Sequence, residues 1–209
     1  MIPKSSKLSA YLHYFLTRYL PNHKEVSPHT LSSYKQTFIH LLEYWNSRFP
    51  HYPDPDLEQF TVEFLLDFLS HLEQSRHNCP STRNLRLAAV KSFFHMVALL
   101  QPRYQTQARR IHMIPAKRAP QPPFDYLEKK EVDTLFSLVN TQRRQGYRDL
   151  VILRTLYNTG ARASELCALR LSDLNFLEKQ LRLSGKGRKS RLVPLWDSSV
   201  AFLKAYLNQ

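Results

Sequence analysis

Arg162 and Glu165 are the residues of this chain whose types and spacing first suggest chemistry. They lie in Thr159-Gly160-Ala161-Arg162-Ala163-Ser164-Glu165-Leu166, where a glycine turn leads into a helix. A guanidinium keeps its charge at any working pH and can make two parallel hydrogen bonds to an oxyanion. A carboxylate three residues on shares its helix face and can orient the guanidinium without touching a substrate. In isolation the pair also reads as an ordinary surface ion pair. A second candidate is Gly185-Lys186-Gly187-Arg188-Lys189. An ammonium on a loop tip there could donate a proton as a bond breaks. Lys186 and Lys189 compete for that role, and a solvated turn lysine is the plain alternative.

These residues need elements to position them. Arg148 to Tyr157 has Leu150, Leu153, Leu156 and Tyr157 at helical spacing, so a helix leads into the Arg162 turn. Near Lys179 the period changes: Leu181 and Leu183 alternate with Gln180, Arg182 and Ser184, and Leu192-Val193-Pro194-Leu195 follows. That pattern predicts a β-hairpin with residues 185–189 at its tip and Pro194 on an edge strand. Leu127, Val132, Leu135, Phe136 and Val139 suit a helix before this region, and Ser198 to Asn208 suits one after it. Tyr206 then falls on an apolar face with Phe202, Leu203 and Leu207.

The first hundred residues read as four amphipathic helices. Leu8, Leu12, Phe15, Leu16 and Tyr19 form one stripe, which Pro21 is expected to stop. Ser27-Pro28 reads as an N-cap with proline at the first helical position, ahead of Leu31, Tyr34, Phe38, Leu41, Leu42 and Trp45. A third helix starts near Thr61 with Val62, Leu65, Leu66 and Leu69. The fourth carries Leu85, Ala88, Ala89, Phe93, Val97 and Leu100 inward, and Arg83, Arg86 and Lys91 on its other face. Residues 101–123 hold Arg103, Arg109, Arg110, Lys117 and Arg118 without an acidic residue, and five prolines are expected to keep the stretch extended. The expected organisation is a helical domain over 1–105, a basic proline-rich linker over 106–123, and a second domain over 124–209.

Composition narrows the function. The chain has 209 residues with 30 Lys+Arg against 17 Asp+Glu, a formal net charge of +13, which favours a polyanion partner such as DNA. A solvated basic surface without a partner is the bland alternative. No apolar run approaches the ~20 residues of a spanning helix, so no membrane role is expected. The N-terminus has no clean hydrophobic region of a signal peptide. Two cysteines, Cys79 and Cys167, suggest no disulfide framework, and a reducing cytoplasm is the expected compartment. His71, His77 and Cys79 cluster without metal-ligand spacing, so no metal is expected. With 4 Gly and no G-x-x-x-x-G-K-S/T run, no phosphate loop is present.

The Thr159–Leu166 segment resembles the first box of the tyrosine recombinases (phage integrase family), T-G-x-R-x-x-E-L turning into a helix. Gly185 to Leu195 is similar to that family's β-hairpin. The proline-rich stretch leading into Tyr126-Leu127-Glu128-Lys129-Lys130-Glu131-Val132 resembles its interdomain passage. Ser27 to Tyr34 and Ser81 to Leu85 are similar to its helical core-binding domain. The resemblance covers nearly the whole chain. It implies a mainly α fold, with a SAM-like helical domain and the first part of a mixed α+β catalytic domain. It implies duplex DNA as partner, site-specific recombination through a 3′-phosphotyrosine without metal or ATP, and a tetramer on DNA for the complete enzyme. Arg162 then stabilises the five-coordinate phosphate, Glu165 supports it, and Lys186 protonates the leaving 5′ oxygen. Arg83, Arg86, Lys91, Arg109, Arg110, Lys117, Arg118 and Lys189 are the expected DNA contacts, with the two domains clamping the duplex.

The family also needs a His-x-x-Arg box, a further His or Trp and a tyrosine nucleophile, and none follows Leu195. Tyr206 reads as a packing residue. Because such residues act as a unit, the chain is expected to be inactive alone: a truncated recombinase, such as a mobile-element integrase, or a stand-alone module that occupies or regulates recombination sites. A helix-turn-helix regulator or an RNA-binding protein is the third class. Neither explains the Arg162 box or the hairpin.

Overall fold

The computed structural model describes residue 3 and residues 5–120, 125–185 and 189–208. The chain divides into two compact units, Met1–Pro122 and Pro123–Gln209.

The first unit is helical. α1 (Leu8–Tyr14) runs on into a π-helical stretch, Phe15–His23, with Pro21 inside it. The expected stop at Pro21 therefore does not occur. A proline ring clashes with the carbonyl four residues back in an α-helix. The wider winding relieves this, and the Lys24 N–H reaches the Tyr19 carbonyl, five residues back, at 3.1 Å. α2 (Pro28–Arg48) starts as expected, with Ser27 Oγ accepting from the Thr30 N–H at 3.2 Å. α3 (Val62–Gln74) is capped by Thr61, and α4 (Pro80–Leu100) begins at its proline. Phe15 meets Phe38 and Phe93 edge-on, with centroids 5.9 and 5.4 Å apart. Tyr11, Phe60, Phe68 and Phe94 complete the core around them.

Two expectations about this unit are corrected. Residues 101–123 are not extended throughout: α5 (Gln105–His112) folds back on α4 and buries Ala108 and Ile111 in the same core, and Ile114, just beyond it, is buried there too. The prolines bracket this helix without entering it. The expected inward face of α4 holds only in part: Ala89, Phe93 and Val97 are buried, but Leu85 is 61% exposed and Ala88 exposed, while Arg83, expected on the other face, is buried.

The second unit packs helices on a small sheet. α6 (Lys129–Ser137) and α7 (Arg144–Thr159) precede α8 (Ala163–Cys167). Strands β1 (Leu174–Asn175), β2 (Gln180–Ser184) and β3 (Ser190–Pro194) form an antiparallel sheet in the order β1-β2-β3, and α9 (Asp197–Leu207) follows. The hairpin expectation is met, with Leu183 opposite Arg191 and Ser184 opposite Ser190, and Pro194 lies on an edge strand. Leu181 and Leu183 are fully buried with Leu195 and Val200, as their alternation predicts. The chain as a whole is mainly helical with one small sheet, the expected fold class.

Candidate functional site

The site starts at the end of α7. Gly160 caps that helix in the left-handed region, φ +58°, with its N–H on the Leu156 carbonyl at 2.9 Å. Only glycine adopts this backbone at no steric cost. The reversal places Arg162 at the N-cap of α8, with its side chain 70% exposed. Glu165, one helical turn on, is buried, its side chain only 2% exposed.

Both carboxylate oxygens of Glu165 are fully used. Oε2 accepts from the Arg162 backbone N–H at 2.8 Å and from Arg191 Nη2 at 2.9 Å. Oε1 accepts from Arg162 Nη1 and from Arg191 Nη1, each at 2.9 Å. Arg191 thus forks across the carboxylate from β3. Its hydrogen bonds come first, and the Arg162 backbone next, in holding the Glu165 carboxyl down at about 2. The Arg191 guanidinium is in turn pushed up by Glu165. Glu165 therefore stays ionised at any neutral pH, so the Arg162 guanidinium is oriented by a fixed charge.

Gly185 closes the site from the hairpin. A Cβ there would stand 2.7 Å from Glu165 Oε1 and 3.7 Å from Arg162 Nη1. Its N–H donates to the Lys189 carbonyl at 2.8 Å, which closes the hairpin neck. Lys186, the expected general acid, lies outside the described residues. Lys189 is described and exposed. Tyr206 is half-buried and lines an apolar groove of about 240 Å³ with Val151, Leu166, Leu171 and Leu203.

The expected DNA contacts fare unevenly. Arg83 is 3% exposed, and its Nη1 donates to the Pro115 carbonyl at 2.9 Å. Arg86 Nη1 donates to the Ser33 carbonyl at 3.0 Å and Thr37 Oγ1 at 3.1 Å. Lys91 Nζ donates to the Ile114 carbonyl at 2.6 Å, and burial pushes its pKa down. These three do not form a free basic face. They bind backbone carbonyls of α2 and of the segment that α5 brings across α4. Lys117 is paired with Glu73 at 2.8 Å, and Arg110 meets Glu63 at 3.6 Å between two largely exposed side chains. Arg109 and Arg118 are exposed, and neither is in an ion pair among the described residues. Among the described residues no group of three His, Cys, Asp or Glu side chains could hold a metal ion, and no helix is long and apolar enough to cross a membrane.

The sequence reading missed Arg191. It lies in the hairpin segment, where its neighbours mark it only as a strand residue. Alternation within β3 could not reveal its face, because the pairing Leu183 opposite Arg191 puts Arg191 on the side of the buried leucines, and a one-residue change of register would reverse it.

Fold and site together define a two-unit protein with a preorganised arginine at a helix start, suited to an oxyanion. Residues 125–209 match the family model described as the phage integrase family, and residues 14–99 match the phage integrase N-terminal SAM-like domain. The protein y4rD of Sinorhizobium fredii, named for an integrase/recombinase, is 36% identical over 204 residues, covering 96% of this chain and 72% of that protein. Its namesake y4rC from the same organism is 34% identical, with 99% of this chain and 63% of that protein covered. Tyrosine recombinase XerC of Chlamydia muridarum is 32% identical, with 93% and 65% covered. This chain therefore spans a little under two thirds of y4rC and of that XerC. The fold also resembles two solved structures. One is the XerH site-specific recombinase bound to a palindromic difH substrate, with TM-score 0.66, 17% identity, and 85% of this chain and 52% of that one covered. The other is the Tn1549 transposon integrase in complex with transposon right end DNA, with TM-score 0.67, 14% identity, and 95% and 63% covered. The chain belongs to the tyrosine recombinase (phage integrase) family.

Proposed function

We propose that this chain binds double-stranded DNA and that Arg162 meets a backbone phosphate at a recombination site. The observation that carries this reading is the cluster around Glu165: two guanidinium groups share one buried carboxylate, leaving one net positive charge at an exposed helix start. A preorganised charge of this kind costs no reorientation as charge builds on a phosphate. Lys186 supplies the proton to the leaving 5′ oxygen in strand cleavage. That cleavage belongs to an assembly which adds a second arginine and a tyrosine nucleophile to Arg162 and Lys186. The helical unit and the basic stretch up to residue 120 add phosphate contacts through exposed Arg109 and Arg118, and Lys189 adds one from the hairpin of the second unit. DNA is present in the XerH and Tn1549 integrase complexes, which supports DNA as the partner here.

The test is duplex binding as a function of salt. Each neutralised phosphate contributes about −0.9 to the slope of log K against log salt. A slope of several units supports the reading, with Arg162→Ala making it shallower by about 0.9. Salt-independent binding, or none, refutes it.

A further inference from the structure

A carboxylate has about four lone-pair sites. Glu165 fills four with the Arg162 backbone, Arg162 Nη1 and the two terminal nitrogens of Arg191. Arg162 gives Glu165 a single side-chain bond, and its remaining donors have no partner among the described residues. Arg191 can reach Glu165 because of the strand register. It stands across from buried Leu183 and shares that face, whereas Leu192, across from Arg182, points outward and is 62% exposed. Side chains directly opposite in a ladder lie on one face of the sheet, and a one-residue slip would turn Arg191 away.

We infer that Arg191 is a positioning residue: its fork saturates Glu165 and thereby leaves the outer donors of Arg162 free for a phosphate. The inference rests on the reading of Arg162 as a phosphate-binding residue. Without Arg191, two acceptor sites open on a buried carboxylate, which carries a desolvation cost until they are refilled. Arg162 is the adjacent cation. It closes over both oxygens, and the donors that would meet phosphate turn inward. The local charge also falls from one positive to zero. Arg191 further ties β3, and so the hairpin that carries Lys186 in sequence, to the turn that carries Arg162.

The experiment uses the full chain and a duplex DNA fragment. The salt slope is measured for wild type, Arg162→Ala, Arg191→Ala, Arg191→Lys and the Arg162→Ala/Arg191→Ala double variant. Arg162→Ala is expected to make the slope shallower by about 0.9. Arg191→Ala is expected to do the same, and the double variant to go no further. Arg191→Lys restores the charge without the fork and falls between. A wild-type slope in Arg191→Ala, with Arg162→Ala reduced, overturns the inference. A double variant reduced by a further ~0.9 also overturns it, because Arg191 then touches phosphate itself. Circular dichroism checks folding, and Arg191→Lys carries the comparison if Arg191→Ala unfolds. If the wild type shows no salt-dependent binding, the DNA reading fails and the positioning is judged by guanidinium NMR. One slowly rotating Nη group on Arg162 in the wild type and two in the Arg191 variant support it, and identical Arg162 spectra overturn it.

Discussion

Gly160→Ala isolates the turn that sets the Arg162 position. Gly160 has φ +58°, and a Cβ placed there meets nothing within 4 Å. The substitution therefore introduces no clash and no new packing, and the whole effect is backbone. Left-handed backbone costs an L-residue about 1–2 kcal/mol. Alanine also restricts the unfolded chain, which returns up to about 1 kcal/mol. The net loss is about 1 kcal/mol, or roughly 4–8 °C in the melting of a unit this size. The assay is thermal unfolding by circular dichroism, with hydrogen exchange at the Leu181 and Leu183 amides to assign the loss to the second unit. Gly160→Asn is the control, because a short polar side chain tolerates this conformation. It should melt between wild type and Gly160→Ala. If Gly160→Ala melts with the wild type, or Gly160→Asn melts as low as Gly160→Ala, the backbone argument is wrong.

Gly185→Ala tests the opposite case, in which the space is filled. The new Cβ sits at 2.7 Å from Glu165 Oε1, against an ordinary contact of 3.4 Å or more, and that carboxylate is pinned by four hydrogen bonds. Overpacking of this kind costs about 1–3 kcal/mol, read by urea unfolding, together with weaker DNA binding in the salt titration. The pH dependence follows from Glu165, whose carboxyl is held at about 2 against an ordinary 4.5. A depressed carboxyl stabilises the fold fully above about pH 4.5 and loses that contribution as pH falls toward about 2. Unfolding measured across this window should show a segment of acid sensitivity that Glu165→Gln removes. In the first unit, Arg83→Ala should release the segment that crosses α4. Charged hydrogen bonds of the Arg83–Pro115 kind contribute about 1.5–3 kcal/mol, and hydrogen exchange at Ile114 and Lys117 should accelerate while the α2 amides stay protected.

The local signals were legible and the turned-over surfaces were not. Ser27, Thr61 and Gly160 declare their helix ends, because caps and left-handed turns are decided by a few adjacent residues. The hairpin was legible from Leu181 and Leu183, since a period of two has few other readings. The role of Arg83, Arg86 and Lys91 was not. Nothing in α4 announces that residues 105–114 fold back over it, and the five prolines of 101–123 argued for an extended strap. Ala108, Ile111 and Ile114 at helical spacing held the missing information. Pro21 misled for a related reason, because the rule that proline ends a helix assumes α winding. Arg162 and Glu165 were found by motif. Arg191 needed the strand register, which links residues 26 apart.

The inward placement of Arg83 and Arg86 separates two quantities that a net charge of +13 merges. Long-range steering depends on total charge, and a guanidinium tied to a carbonyl still adds to the field that draws a polyanion in. The stability of the final complex depends on which cations displace condensed counterions, and those two displace none where they are. On the proposed DNA reading, encounter is drawn by more charge than the bound complex can use.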